Sequence, residues 1–169
     1  MKKTIVKITC LIVALLLTAC NIDSSKDEAS IKILAGDQEI HAITYDGETM
    51  KWFEVNQNAG DNIASDELPY IALNETIHIE VSNLNGKELV IEDYILNKNG
   101  SFKYADGVVE SYTIPLTNGK ASFKLQTNGA EFFSSNSDDY LPGNTIRGFI
   151  VYSESTTLFS FVLRTDASE

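Results

Sequence analysis

Residues 120–126, Lys-Ala-Ser-Phe-Lys-Leu-Gln, alternate polar and apolar without a break. Successive side chains of an extended strand point to opposite faces, so Ala121, Phe123 and Leu125 would line one side and the lysines the other. Thr76-Ile-His-Ile-Glu-Val81 repeats the pattern with Ile77, Ile79 and Val81 inward and His78 and Glu80 outward. This period of two predicts half-buried antiparallel strands. Further strands are expected over 31–34, 39–45, 50–55, 88–96, 101–104, 108–114, 146–153 and 157–164. Helical spacing is sustained nowhere beyond the first twenty residues.

Turn chemistry points the same way. Asn-Gly occurs at 85–86, 99–100, 118–119 and 128–129, and Asp-Gly at 46–47 and 106–107. Such dipeptides supply the positive φ angles of tight hairpin turns. Pro69, Pro115 and Pro142 fall at loop or strand-end positions, where the missing N–H does no harm. The expected fold is an all-β antiparallel sandwich, immunoglobulin-like but without its disulfide; a small lipocalin-like β-barrel is the alternative. Two polar stretches, 56–70 and 127–144, are too long for simple connections and are where a site is expected.

The first twenty residues follow other rules. Lys2, Lys3 and Lys7 precede an apolar run from Ile8 to Ala19. A spanning helix needs about 20 apolar residues, so the run reads as a secretory signal. Leu17-Thr18-Ala19-Cys20 resembles the lipobox of bacterial lipoproteins. The resemblance implies cleavage before Cys20 and a diacylglycerol thioether on its thiol. Residues 1–19 are then a signal peptide, 20–30 a lipidated flexible tether and 31–169 a single domain. Ten flexible residues reach roughly 17–19 Å. The implied location is the extracytoplasmic face of the cell membrane, with the membrane engaged through the lipid. The strand pattern and acidic spacer loosely resemble small Gram-positive surface lipoproteins of unassigned activity.

Composition narrows the chemistry. Beyond residue 19 there are 10 basic and 24 acidic side chains, a net charge of −14, which argues against a nucleic-acid partner. Cys10 lies in the signal and Cys20 in the lipid anchor, so thiol catalysis, thiolate metal sites and disulfides are excluded from the domain. No nucleophile elbow, zinc-protease or phosphate-loop motif is present, and the expectation is a non-enzymatic protein without a cofactor. Calcium is the best-supported ion: Asp138 and Asp139 in one long loop, with Asp61 and Asp66 in the other, offer hard oxygens, although solvated acidic loops are the commoner case. His41 and His78, far apart in sequence, read as exposed residues.

Aromatic residues supply the remaining candidates. Trp52 adjoins Phe53, so the two rings must face opposite ways on a strand. Phe132, Phe133 and Tyr140 sit in the otherwise polar loop 127–144, either pinning it to the domain or presenting rings to a partner. The sequence therefore predicts a lipid-anchored binding module whose loops meet an envelope or surface protein or a cell-wall polymer. A carrier of a small ligand or metal ion and an envelope hydrolase are the alternatives.

Overall fold

The computed structural model describes residues 29–45, 67–105, 108–154 and 158–168. Nine strands form in chain order: β1 (Ser30–Ala35), β2 (Gln38–Ile40), β3 (Ala42–Tyr45), β4 (Thr76–Ser82), β5 (Glu88–Leu96), β6 (Glu110–Pro115), β7 (Lys120–Lys124), β8 (Thr145–Tyr152) and β9 (Leu158–Thr165). They build two antiparallel sheets, β2-β1-β4-β7 and β3-β9-β8-β5-β6. Neither sheet closes on itself, so the barrel alternative gives way to a β-sandwich. With the edge strands β2 and β3 set aside, the order β1-β4-β7 against β6-β5-β8-β9 follows the A-B-E against C′-C-F-G arrangement of immunoglobulin-like domains.

The alternation read from sequence is the one that packs. Ile77, Ile79, Val81, Ala121, Phe123 and Leu125 are buried on one face, while Ser122 and Lys124 face solvent. Leu89 and Ile91 from β5 and Phe149 and Val151 from β8 meet them from the opposite sheet. The Phe149 and Phe161 rings stack with centroids 4.7 Å apart. Strand β8 departs from alternation and is buried on both faces. Its outer residues Ile146 and Ile150 pack under Leu68, Leu96 and Val162, with Phe102 and Tyr94 at the margin. Central strands covered on both sides read as continuous apolar runs for this reason.

Several expectations are corrected. The 39–45 stretch is two strands: the chain leaves β2 at His41 and joins the other sheet as β3. Residues 101–104 form no strand, only a bridge between Leu96 and Phe102, because the chain folds back sharply at Asn97, whose N–H donates to the Ser101 carbonyl. Asn118-Gly119, at φ 52° and 74°, does make a tight turn. It nevertheless links β6 to β7 in different sheets, so it is a corner rather than a hairpin. Asn128-Gly129 opens a 3-10 helix instead of a turn. The β1–β2 hairpin uses Gly36-Asp37, with Gly36 at φ 56°, a pair the turn reading passed over. The expected strand 50–55 lies outside the described residues.

Register fixes which loops share an end. Ser30 pairs with Ser82, while Ala35 pairs with Ile77, and Thr76 pairs with Lys124. Leu96 pairs with Ile146 and Thr145 with Thr165. The start of β1 thus lies at one end of the sandwich, beside the 83–87 and 116–119 connections. Segments 97–105, 127–144 and 166–168 gather at the opposite end, roughly 20–25 Å of strand away.

Candidate functional site

At that opposite end an acid faces inward where the alternation calls for an apolar residue. Asp93 continues the Leu89, Ile91 and Ile95 face of β5 and is fully buried. Arg147 does the same on β8, in phase with Phe149 and Val151, and is 2% exposed. Its guanidinium grips the Asp93 carboxylate in a two-point contact, Nη2 to Oδ2 and Nε to Oδ1, the latter at 3.1 Å. Nη1 donates to the Gln126 carbonyl at 2.5 Å, and the guanidinium carbon lies 5.4 Å from the Phe149 ring centre. A buried charge is tolerable only when paired this fully. Burial alone would lower the Arg147 pKa, but Asp93 and Glu131 outweigh it and hold the side chain charged. Burial pushes the Asp93 carboxyl up, against the pull of Arg147.

The 127–144 segment caps this pair. Asn128 donates from Nδ2 to the Asp93 carbonyl at 3.2 Å. It also caps the 3-10 helix Gly129–Phe133 by accepting from Ala130 N. That helix carries Glu131 inward, to 3.8 Å from Arg147 Nη1. Two acids now face one base. Burial pushes the Glu131 carboxyl up to about 8, opposed by Arg147 and by the backbone N–H of Asn128. Burial thus favours the neutral form of Glu131, beside an Asp93–Arg147 pair that makes the closer contact.

Glu131 also lines a cleft of about 570 Å³ between the 97–105 and 127–144 segments. Ile95, Leu96 and Ile146 form its apolar floor, and Asn97, Asn136 and Thr145 contribute amides and a hydroxyl. Tyr104 adds a hydroxyl that is buried without a partner. Lys103 crosses the cleft to Asp139 at 2.5 Å, and Ser134 donates to the same carboxylate. Partial burial opposes ionisation of Asp139, but Lys103 and Ser134 outweigh it and keep the carboxyl below its ordinary value. Two acids on one loop are thus driven in opposite directions.

Among the residues singled out by sequence, Phe132 and Phe133 are 59% and 67% exposed. Tyr140 donates to the Ser134 carbonyl at 2.8 Å, so it pins the loop while the two phenylalanines project. Phe133 meets Tyr104 edge to face at 5.8 Å. Asp138 is the second residue of the second 3-10 helix, Ser137–Tyr140, and is exposed. No three His, Cys, Asp or Glu side chains converge as a metal site among the described residues, and Asp139 takes Lys103 rather than joining a third acid. His41 and His78 are both exposed. Trp52, Asp61, Asp66 and the lipobox residues Leu17, Thr18, Ala19 and Cys20 lie outside the described residues.

Sequence reasoning missed Asp93, Arg147, Glu131 and Tyr104. The first two carried a signal: each is a charged residue in the apolar phase of its own strand. Glu131 carried none, since its direction depends on the capped turn. Comparison of the chain with family models, curated proteins and solved structures finds no match.

Proposed function

We propose that this chain is a lipid-anchored, non-enzymatic binding module of the bacterial envelope, held at the outer face of the cell membrane by diacylglycerol on Cys20. The observation that carries the reading is a coincidence of place. Of five large hydrophobic side chains exposed among the described residues, Phe132, Phe133, Tyr140 and Leu141 lie in one loop. Other residues of that loop, among them Ser134, Asn136 and Asp139, line the cleft at the end opposite the start of β1. A tether of residues 20–30 would enter beside the 83–87 and 116–119 connections and turn the cleft toward the medium. Exposed clustered apolar groups beside polar ones mark interaction sites on soluble domains.

Apolar side chains fill the space between the sheets, which favours a surface site over an interior carrier cavity. The hydrolase alternative draws support from Glu131 and Asp139, whose opposite shifts in one cleft suit an acid and a base. Asp139, however, is already engaged by Lys103 and Ser134, and that supports holding a ligand over turning one over.

The test is photo-crosslinking of the intact lipoprotein in its own membranes, with the label at position 132. The expected result is a discrete adduct, lost in Phe133→Ala, and release of the chain from the membrane fraction in Cys20→Ser. Unchanged labelling in Phe133→Ala, or a Cys20→Ser chain that stays in the membrane, would defeat the corresponding half of the reading.

A further inference from the structure

The charges that a molecule in the cleft would meet come from Lys98, Lys103 and Asp139 on its walls. The Glu131 carboxyl oxygens are buried, with Arg147 at 3.8 Å, and lie out of reach. Lys103 and Asp139 keep 21% and 27% of their side-chain surface open, and Lys98 is exposed. Each has hydrogen-bonding capacity left over. The Lys103 ammonium has three N–H donors and meets Asp139 Oδ2 at 2.5 Å. Ser134 donates to that same oxygen, which leaves Asp139 Oδ1 without a partner among the described residues. Lys98 forms no ion pair among the described residues.

Charge and geometry together select the ligand class. A simple cation would meet two lysines. A simple anion would meet the Asp139 carboxylate, on a chain of net charge −11. A molecule carrying both charges meets neither obstacle: its carboxylate accepts from Lys98 and Lys103, and its ammonium donates to Asp139 Oδ1. Because the Lys103 and Asp139 groups are in contact, the ligand's two charges must also be neighbours, so that the four close into a head-to-tail ring. An α-amino acid meets that condition, since its ammonium and carboxylate share one carbon, each about 1.5 Å from it. A second residue would part them by a further ~3.3–3.6 Å and open the ring. Ile95, Leu96 and Ile146 on the floor favour an apolar side chain. A volume of about 570 Å³ falls within the ~300–1,000 Å³ of small-molecule sites.

Resting on the binding-module reading above, we propose that this cleft binds a free apolar α-amino acid as its zwitterion, with the carboxylate on Lys98 and Lys103 and the ammonium on Asp139.

Titration calorimetry on the intact lipoprotein in detergent micelles would use L-leucine, L-methionine and L-phenylalanine as probes. At least one should bind. For that amino acid, the N-acetyl derivative lacks the ammonium, the amide lacks the carboxylate, and the dipeptide separates the two. Each should bind at least about tenfold more weakly, the scale of a lost charge-assisted hydrogen bond. Asp139→Asn and Lys103→Met should weaken the amino acid by a similar factor. Lys98→Glu alters an exposed side chain without an ion pair, so it leaves the fold intact while setting an acid against the ligand's carboxylate; it too should weaken binding about tenfold. Circular dichroism melting of each variant separates lost binding from lost fold. No heat with any of the three amino acids overturns the proposal. So does equal affinity for the amino acid and its N-acetyl or amide derivative, or unchanged affinity in Lys98→Glu. If the amino acids fail but the position-132 crosslink persists, the ligand is wrong and the binding module stands. If both fail, the module fails too.

Discussion

Two buried regions of this sandwich hold together by different physics. Between the sheets, Phe149, Phe161, Leu89 and Ile79 are dry and apolar, and their stability scales with area removed from water and with fit. At the far end, Asp93, Arg147 and Glu131 are equally hidden but ionic, and their stability depends on charge balance and on partners in the right places. The same strands, β5 and β8, run through both. A tolerant substitution in the first region is one that conserves volume; in the second, volume is nearly irrelevant.

The strongest way to break this contrast is to strip the acids from the ionic end. Asp93→Asn combined with Glu131→Gln changes almost no volume, yet it strands Arg147 in the interior and should cost about 3–5 kcal/mol in urea unfolding. Asp93→Asn alone should fall short of that by about 1–3 kcal/mol, the scale of coupling between neighbours. Glu131, 3.8 Å from Arg147, can give up its proton and replace the lost charge. Equal costs for the single and double variants would show that Glu131 does not participate. In the apolar region, Leu89→Met should cost less than about 1.5 kcal/mol by the same measurement, since a hydrophobic group of similar size remains.

Smaller effects sharpen the picture. Glu131 titrates near 8 when folded and near the ordinary glutamate value of about 4.3 when unfolded. The folded state therefore binds the extra proton in that window. Stability contributed by the neutral acid is full below the lower value and declines as pH rises toward the upper one, with a slope of at most ~1.4 kcal/mol per pH unit. Glu131→Gln should flatten that slope; an unchanged profile would place the proton elsewhere. At the weak extreme stands the exposed Lys120–Glu80 pair at 2.5 Å. Lys120→Ala should leave the thermal midpoint unmoved, as solvent and salt screen such pairs.

The contrast also explains what could be read from sequence. The apolar interior was legible because strand geometry imposes a period of two, and Ile77, Ile79, Phe123 and Leu125 obey it. The break at His41 and the corner at Asn118-Gly119 were not, since a strand carries no local mark of which sheet it joins. Near the cleft, Phe132 and Phe133 stood out as rings in a polar loop. Asp93 and Arg147 were readable only as violations of phase, and their meeting across 54 residues is set by tertiary pairing. Glu131 becomes special only through the Asn128 cap and a neighbour sixteen residues away in sequence.

One detail at the end of the chain governs how the protein can be handled. Asp166 accepts from Tyr70 Oη and from Gly143 N, both at 2.7 Å, and Ala167 forms part of the cleft lining. A fusion partner or purification tag appended after residue 169 would therefore crowd the cleft mouth and strain the ties that position the 127–144 segment. Coupling a sensor surface through residues ahead of β1 leaves that mouth unobstructed, and binding measured in the two formats should differ accordingly.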